Sequence, residues 1–128
     1  MIRISLVAAG CLLFGLVFIS NPAFTERIPQ KTPELVNQGR KIYGQNCVVC
    51  HGPKGDGQGS LGLTLKTPPT DFTKPFDHWN YSRGNPQKIF EAITNGVPGT
   101  AMAKFHYAEE TRWGLVYYVM QFSESKTN

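Results

Sequence analysis

The sequence predicts an all-α chain of small helices and long loops wrapped around one large apolar group. Three observations carry this. Several segments open on helix-start signals and continue with apolar residues at helical spacing, and no convincing strand alternation lies between them. Thirteen glycines and nine prolines in 128 residues call for long loops. Cys47-Val48-Val49-Cys50-His51 is a C-x-x-C-H run, the attachment signature of a c-type haem.

The motif has a chemical reason for each residue. Two cysteines three apart lie about one helical turn from each other, so both thiols reach the vinyl-bearing edge of one haem and form thioethers. The following His51 then offers its imidazole to the iron as proximal ligand. A structural zinc site would need a second ligand pair, and His78 and His106 stand alone. A thiol redox pair would need a preceding strand in a βαβ unit, and a plain disulfide leaves His51 without a role.

The chain opens on Met1–Arg3, a short basic start, followed by an uncharged run from Ile4 to Ile19. Residues 1–23 read as a signal peptide or an uncleaved membrane anchor. As a helix the run spans about 24 Å, short against a hydrocarbon core of about 30 Å. Small residues are not placed for cleavage, which favours an anchor, and Arg3 then leaves the domain outside the cytoplasm. Ala8-Ala9-Gly10-Cys11 admits lipidation at Cys11 as an alternative, against the plainer reading of an apolar residue in a membrane helix. Residues 24–31 read as a linker and 32–128 as the folded domain.

Thr32-Pro33-Glu34 starts a first helix, with an N-cap, proline at the first position and an acid in the first turn. It runs to about Asn46. Gly39 in its interior costs about 1 kcal/mol relative to alanine and points to close approach of another backbone. Gly52–Gly62 is too rich in glycine to be regular, and it lacks the strand and the Gly-Lys-Ser/Thr end of a phosphate loop. Lys66–Asp77, with Pro68, Pro69 and Pro75, reads as a loop over something apolar, packed by Phe72, Phe76 and Trp79.

Asn85-Pro86 opens a second helix carrying Ile89, Ala92 and Ile93 on one face, closed by Asn95-Gly96. The loop Val97–Met102 follows. The last helix begins near Ala108 with Glu109 and Glu110 at its positive end and runs to about Ser123. Its two apolar stripes predict packing on two sides.

An electron-transfer haem carries a second axial ligand, commonly Met or His. Met102 is the choice, because its Pro-Gly loop can bring a thioether to the open face. His106 and His78 are the alternatives, and Met120 reads as a core residue on an apolar stripe. Net charge is +4 with no long basic run, so nucleic-acid binding has no support. No distal acid/base pair stands out, so an enzyme or sensor with an open sixth site is the lesser reading. With about 100 residues outside the leader, the core is modest and the haem-free chain is expected to be largely unfolded.

Residues 33–123 resemble a class I c-type cytochrome. The resemblance rests on Cys47–His51, on Ile93-Thr94-Asn95-Gly96-Val97-Pro98-Gly99-Thr100-Ala101-Met102, and on the Glu109–Val119 stretch. Gly39 and Tyr43 match the glycine and aromatic of that family's first helix. It implies a cytochrome c-like fold in which Gly39 lets the terminal helices cross, with an aromatic contact near Tyr118. It implies one covalent haem c, with Cys47, Cys50, His51 and Met102 as the cofactor-binding residues and His51 and Met102 holding the iron.

Two departures stand out: Ala103 follows the ligand methionine where the family often has proline, and Tyr107 occupies the helix-start position. A carbonyl at Pro68 or Pro69 is expected to accept the other N–H of His51. The function implied is single-electron transfer between donor and acceptor proteins, not catalysis. The domain would be tethered on the periplasmic face of the membrane, or soluble in the periplasm if the leader is cleaved. A haem subunit held permanently in a respiratory or dehydrogenase complex is the alternative.

Overall fold

The computed structural model describes residues 28–124. Four helices follow in order: α1 (Pro33–Asn46), α2 (Val48–His51), α3 (Pro86–Asn95) and α4 (Glu109–Glu124). Short 3₁₀ turns stand at Gly62–Thr64 and Phe76–His78, and no strand occurs among the described residues. No helix among them is long and apolar enough to cross a membrane. The leader, Cys11 and the first part of the linker lie outside the described residues. Before α1 the chain is tied to the helices at Pro29, whose carbonyl accepts from the Tyr117 hydroxyl at 2.5 Å.

Helix α1 starts where its signals place it. The Thr32 hydroxyl accepts from the Leu35 N–H at 3.2 Å, and Pro33 occupies the first position without wasting a donor. Gly39 then explains itself. A Cβ there would overlap the Gly114 carbonyl oxygen of α4, and one on Gly114 would crowd the Leu35 carbonyl. The two glycines bring the helix backbones into contact, and α1 and α4 form the largest helix pair of the fold. Tyr43 meets Tyr118 edge-on across this crossing, with ring centroids 5.2 Å apart.

Helix α3 is capped by Asn85, whose side chain accepts from the Gln87 N–H at 2.9 Å. It buries Ile89, Phe90 and Ile93, and Phe90 stacks on Trp113 of α4 at 4.8 Å. Helix α4 is packed by α1 on one side and α3 on the other, as its two stripes require. Trp113, Leu115, Val116 and Val119 are buried there, each stabilising by about 1.5–3 kcal/mol relative to exposure. The helix-start position is Ala108 rather than Tyr107: its carbonyl accepts from the Arg112 N–H at 3.1 Å. Glu109 and Glu110 stand in the first turn and offset the lack of a side-chain cap.

Candidate haem site

The C-x-x-C-H run sits on α2, a single turn that continues α1 after a break at Cys47. The Cys47 carbonyl accepts from both the Cys50 N–H (3.2 Å) and the His51 N–H (2.8 Å). That turn brings the two thiols within one helical repeat and presents His51 beside them. Burial, with Cys50 beside it, pushes the Cys47 thiol up to about 11. A redox-active cysteine pair needs the opposite shift, towards thiolate at neutral pH.

His51 is held from two directions. Its Nδ1 lies 3.4 Å from the Thr70 carbonyl, and its ring stacks on Phe72 with centroids 4.6 Å apart. Burial lowers its pKa, and the bond to Thr70 partly offsets this. The result is a neutral imidazole whose Nδ1–H donates to Thr70 and whose Nε2 lone pair is free to bind a metal.

The accepting carbonyl is therefore Thr70, not Pro68 or Pro69. The Phe72 N–H donates to the Gly55 carbonyl at 2.7 Å, which draws the chain one residue further across the imidazole before it turns. Both prolines still line the cavity. Phe72 leads on to Trp79, 4.7 Å away between centroids, and Trp79 Nε1 donates to the Lys74 carbonyl at 3.0 Å. Phe76 closes the cluster edge-on at 4.8 Å.

Met102 comes from the loop after α3. Its N–H donates to Thr100 Oγ1 at 3.1 Å, and that hydroxyl donates to the Val97 carbonyl at 2.8 Å. The Val97 N–H in turn donates to the Met102 carbonyl at 3.4 Å. Gly96, at φ 70°, permits this closure, because a Cβ there would sit 2.6 Å from the Met102 carbonyl oxygen. After the loop, Phe105 N–H donates to the Ile93 carbonyl at 2.9 Å and fastens the returning chain to α3.

Cys47, Cys50, His51 and Met102 line one cavity of about 500 Å³. Its remaining walls are mainly apolar, with Ile89, Ile93, Leu115 and Val119 among them. This is the size and character of a cofactor pocket. The donor set fits a haem c: two thiols on one turn, a neutral oriented imidazole, and a thioether from a separate loop. Neither His78 nor His106 is among the lining residues, and Met120 packs against the core as expected.

Three residues of this frame escaped the sequence reading. Gly114 carried no signal except as a flaw in a helix. Phe90 lay outside the apolar stripe assigned to α3. Ser82, buried and among the residues that line the cavity, is not singled out by any motif.

An all-α chain with these residues around one cavity is a class I monohaem c-type cytochrome domain. More particularly, the family model described as "Cytochrome C oxidase, cbb3-type, subunit III" matches residues 34–119, and the chain belongs to that family. Its cofactor is covalent haem c with its iron. The chain is 28% identical over 91 residues to a thiosulfate dehydrogenase of Thiomonas intermedia, covering 71% of this chain and 27% of that protein. It is 30% identical over 66 residues to the cbb3-type cytochrome c oxidase subunit CcoP of Azospirillum brasilense, covering 52% of this chain and 21% of that one. Among solved structures it resembles a chain of the reducing HAO-like protein complex of Kuenenia stuttgartiensis. There the TM-score is 0.60 and the identity 29%, covering 77% of this chain and 46% of that chain. The chain thus spans about a quarter of the length of the curated relatives it matches.

Proposed function

We propose that this chain carries single electrons between protein partners outside the cytoplasm. Cys47 and Cys50 would hold the haem through thioethers, and His51 and Met102 would bind its iron. The bound haem supplies one-electron chemistry by cycling its iron between two oxidation states. The protein's own part is to hold both ligands in either state and to exclude solvent. The observation that carries this is one largely apolar cavity lined both by the Thr70-oriented His51 and by Met102. With both His51 and Met102 given to the iron, no position would be open to a substrate, and the domain would pass electrons without chemistry of its own.

Residues 1–23 form the signal or membrane anchor, 24–31 the linker and 32–128 the haem domain. Anchored, the domain stands on the periplasmic face of the membrane. Val49, Leu61 and Leu63 are exposed beside the attachment turn, with the Leu61 N–H bonded to the Val49 carbonyl at 2.9 Å. This apolar rim suits the approach of a donor or acceptor protein.

A second reading is favoured by the similar proteins, which are named as an oxidase subunit, a dehydrogenase and a chain of a complex. In it the domain is a resident haem subunit of a larger respiratory or dehydrogenase assembly. Purification from membranes separates the two, since a resident subunit travels with its complex and a free carrier does not. The test of the closed site is the ferrous spectrum with and without carbon monoxide. An unchanged spectrum on mixing is expected; rapid formation of a carbon monoxide adduct would place the protein with haems that bind gases or peroxide.

A further inference from the structure

The imidazole of His51 needs more than one constraint to keep a plane. The torsion about its Cβ–Cγ bond is broad and has no sharply preferred angle. The Nδ1 contact to the Thr70 carbonyl is 3.4 Å long, beyond the usual N–H···O range of about 2.7–3.2 Å. Acceptance at a carbonyl oxygen is also directionally broad. Such a bond selects which nitrogen carries the proton, but it leaves the ring room to turn.

The face of Phe72 is the stiffer constraint. The two rings lie 14° from parallel, with centroids 4.6 Å apart. Turning the imidazole about its Cβ–Cγ bond in either sense drives one of its edges into the phenyl face, and a dense interior gives little room for that. Phe72 is itself anchored. It is 9% exposed, and its N–H donates to the Gly55 carbonyl at 2.7 Å. The residues on either side of it are bound to each other, because Asp71 Oδ1 accepts from the Thr73 N–H (2.9 Å) and from the Thr73 hydroxyl (2.6 Å). Its ring meets Trp79 at 4.7 Å, and Trp79 is 2% exposed with its indole N–H given to the Lys74 carbonyl.

We infer that Phe72 is a positioning residue whose ring face fixes the plane of the His51 imidazole. The division of labour is then simple: the Thr70 carbonyl sets the tautomer, and Phe72 sets the plane. The inference rests on His51 being an iron ligand, as proposed above, and is independent of which residue supplies the sixth ligand. It has a consequence for electron transfer. An imidazole locked in one plane offers the metal the same orbital overlap in both oxidation states, so the ligand need not rearrange when the charge changes.

The test uses the ferric holoprotein in excess cyanide. Cyanide is linear and takes the sixth position in every variant, so the spacing of the four haem methyl signals in the paramagnetic proton NMR spectrum reports the imidazole plane alone. Phe72→Leu and Phe72→Met keep an apolar side chain without the flat face, and Phe72→Tyr keeps the face. The Leu and Met proteins should change the methyl spacing, and the Tyr protein should retain it, with ferrous spectra of the same samples supplying the ring-current correction. Native spacing in the Leu and Met proteins would overturn the inference. A changed spacing in all three would also overturn it, since the flat face would then not be what matters. The His51 ring protons, strongly shifted only when the imidazole binds iron, are read in the same spectra. Unshifted His51 protons would overturn the ligand assignment and this inference with it, so the two failures are told apart.

Discussion

The α1–α4 crossing and the Met102 loop both face the haem cavity, yet they are built from different forces. At the crossing, Gly39 and Gly114 bring two backbones into contact, and Tyr43, Tyr118, Leu115 and Val119 fill the space around them. The loop has almost no core of its own. It is closed by the Thr100 hydroxyl, by the Val97–Met102 pair of backbone groups and by Phe105 returning to Ile93. Packing of the first kind is close to all-or-none, because a dense interior yields little. Hydrogen bonds of the second kind contribute about 1 kcal/mol each and let a segment open alone. The crossing should therefore govern whether the domain folds, and the loop whether the iron keeps its sixth ligand.

The largest effect comes from removing what both regions surround. An empty cavity of about 500 Å³, at about 24 cal/mol per Å³, costs on the order of 10 kcal/mol as an upper bound, since the cavity is partly open. That is comparable to the whole stability of a small domain, about 5–15 kcal/mol. The double variant Cys47→Ala, Cys50→Ala, made without attached haem, should lose most of its helical circular dichroism. A native-like spectrum would show that the crossing suffices alone.

Next in size is the crossing itself. Gly39→Ala drives a methyl group into the Gly114 carbonyl, and the helices must separate. The loss should exceed about 2 kcal/mol in denaturant unfolding of the holoprotein, while the visible spectrum of the protein that remains folded stays native.

Tyr43→Phe is smaller. It removes the hydrogen bond that the buried hydroxyl donates to the Gly52 carbonyl at 2.7 Å, worth about 1 kcal/mol. It also has a pH signature. Burial, with the nearby Cys47 adding to it, raises the pKa of the Tyr43 hydroxyl in the folded state well above its ordinary value. Below about pH 10 the tyrosine is neutral in both states and this contribution is constant. As pH rises further, only the unfolded chain ionises it and stability falls until the folded-state value is passed. The difference in stability between native protein and Tyr43→Phe should therefore be flat to about pH 10 and shrink above it; a constant difference to pH 11 would contradict the sign.

The smallest change in stability belongs to the loop. Thr100→Val removes both bonds made by that hydroxyl, yet the residue is exposed and should cost less than about 1 kcal/mol. Its effect should appear in ligation instead, as faster displacement of the methionine by added imidazole. Unchanged displacement kinetics would mean that the loop is held by something other than these bonds.

Legibility in the sequence follows the range of the interactions. Helices α1 and α3 were readable because Thr32-Pro33 and Asn85-Pro86 act within a few residues. The attachment turn was readable because one local motif carries all its chemistry. Gly39 was readable as a close approach, but its partner Gly114 lies 75 positions away and looks locally like a defect. The carbonyl that orients His51 depends on where Phe72 meets Gly55, a register that no dipeptide encodes, so Thr70 was missed in favour of the neighbouring prolines. Met102 stands out in the sequence through its Pro-Gly loop, and it lines the cavity while His78 and His106 do not.

The most direct measurement of the central claim is the long-wavelength charge-transfer band of the ferric holoprotein, which reports sulfur bound to iron. The native protein and Met120→Leu should both show it, and Met102→Ala should lose it with a fall in reduction potential and little loss of stability. A Met102→Ala protein that kept the band would contradict the account, because the iron would then have another sulfur ligand and the loop another purpose.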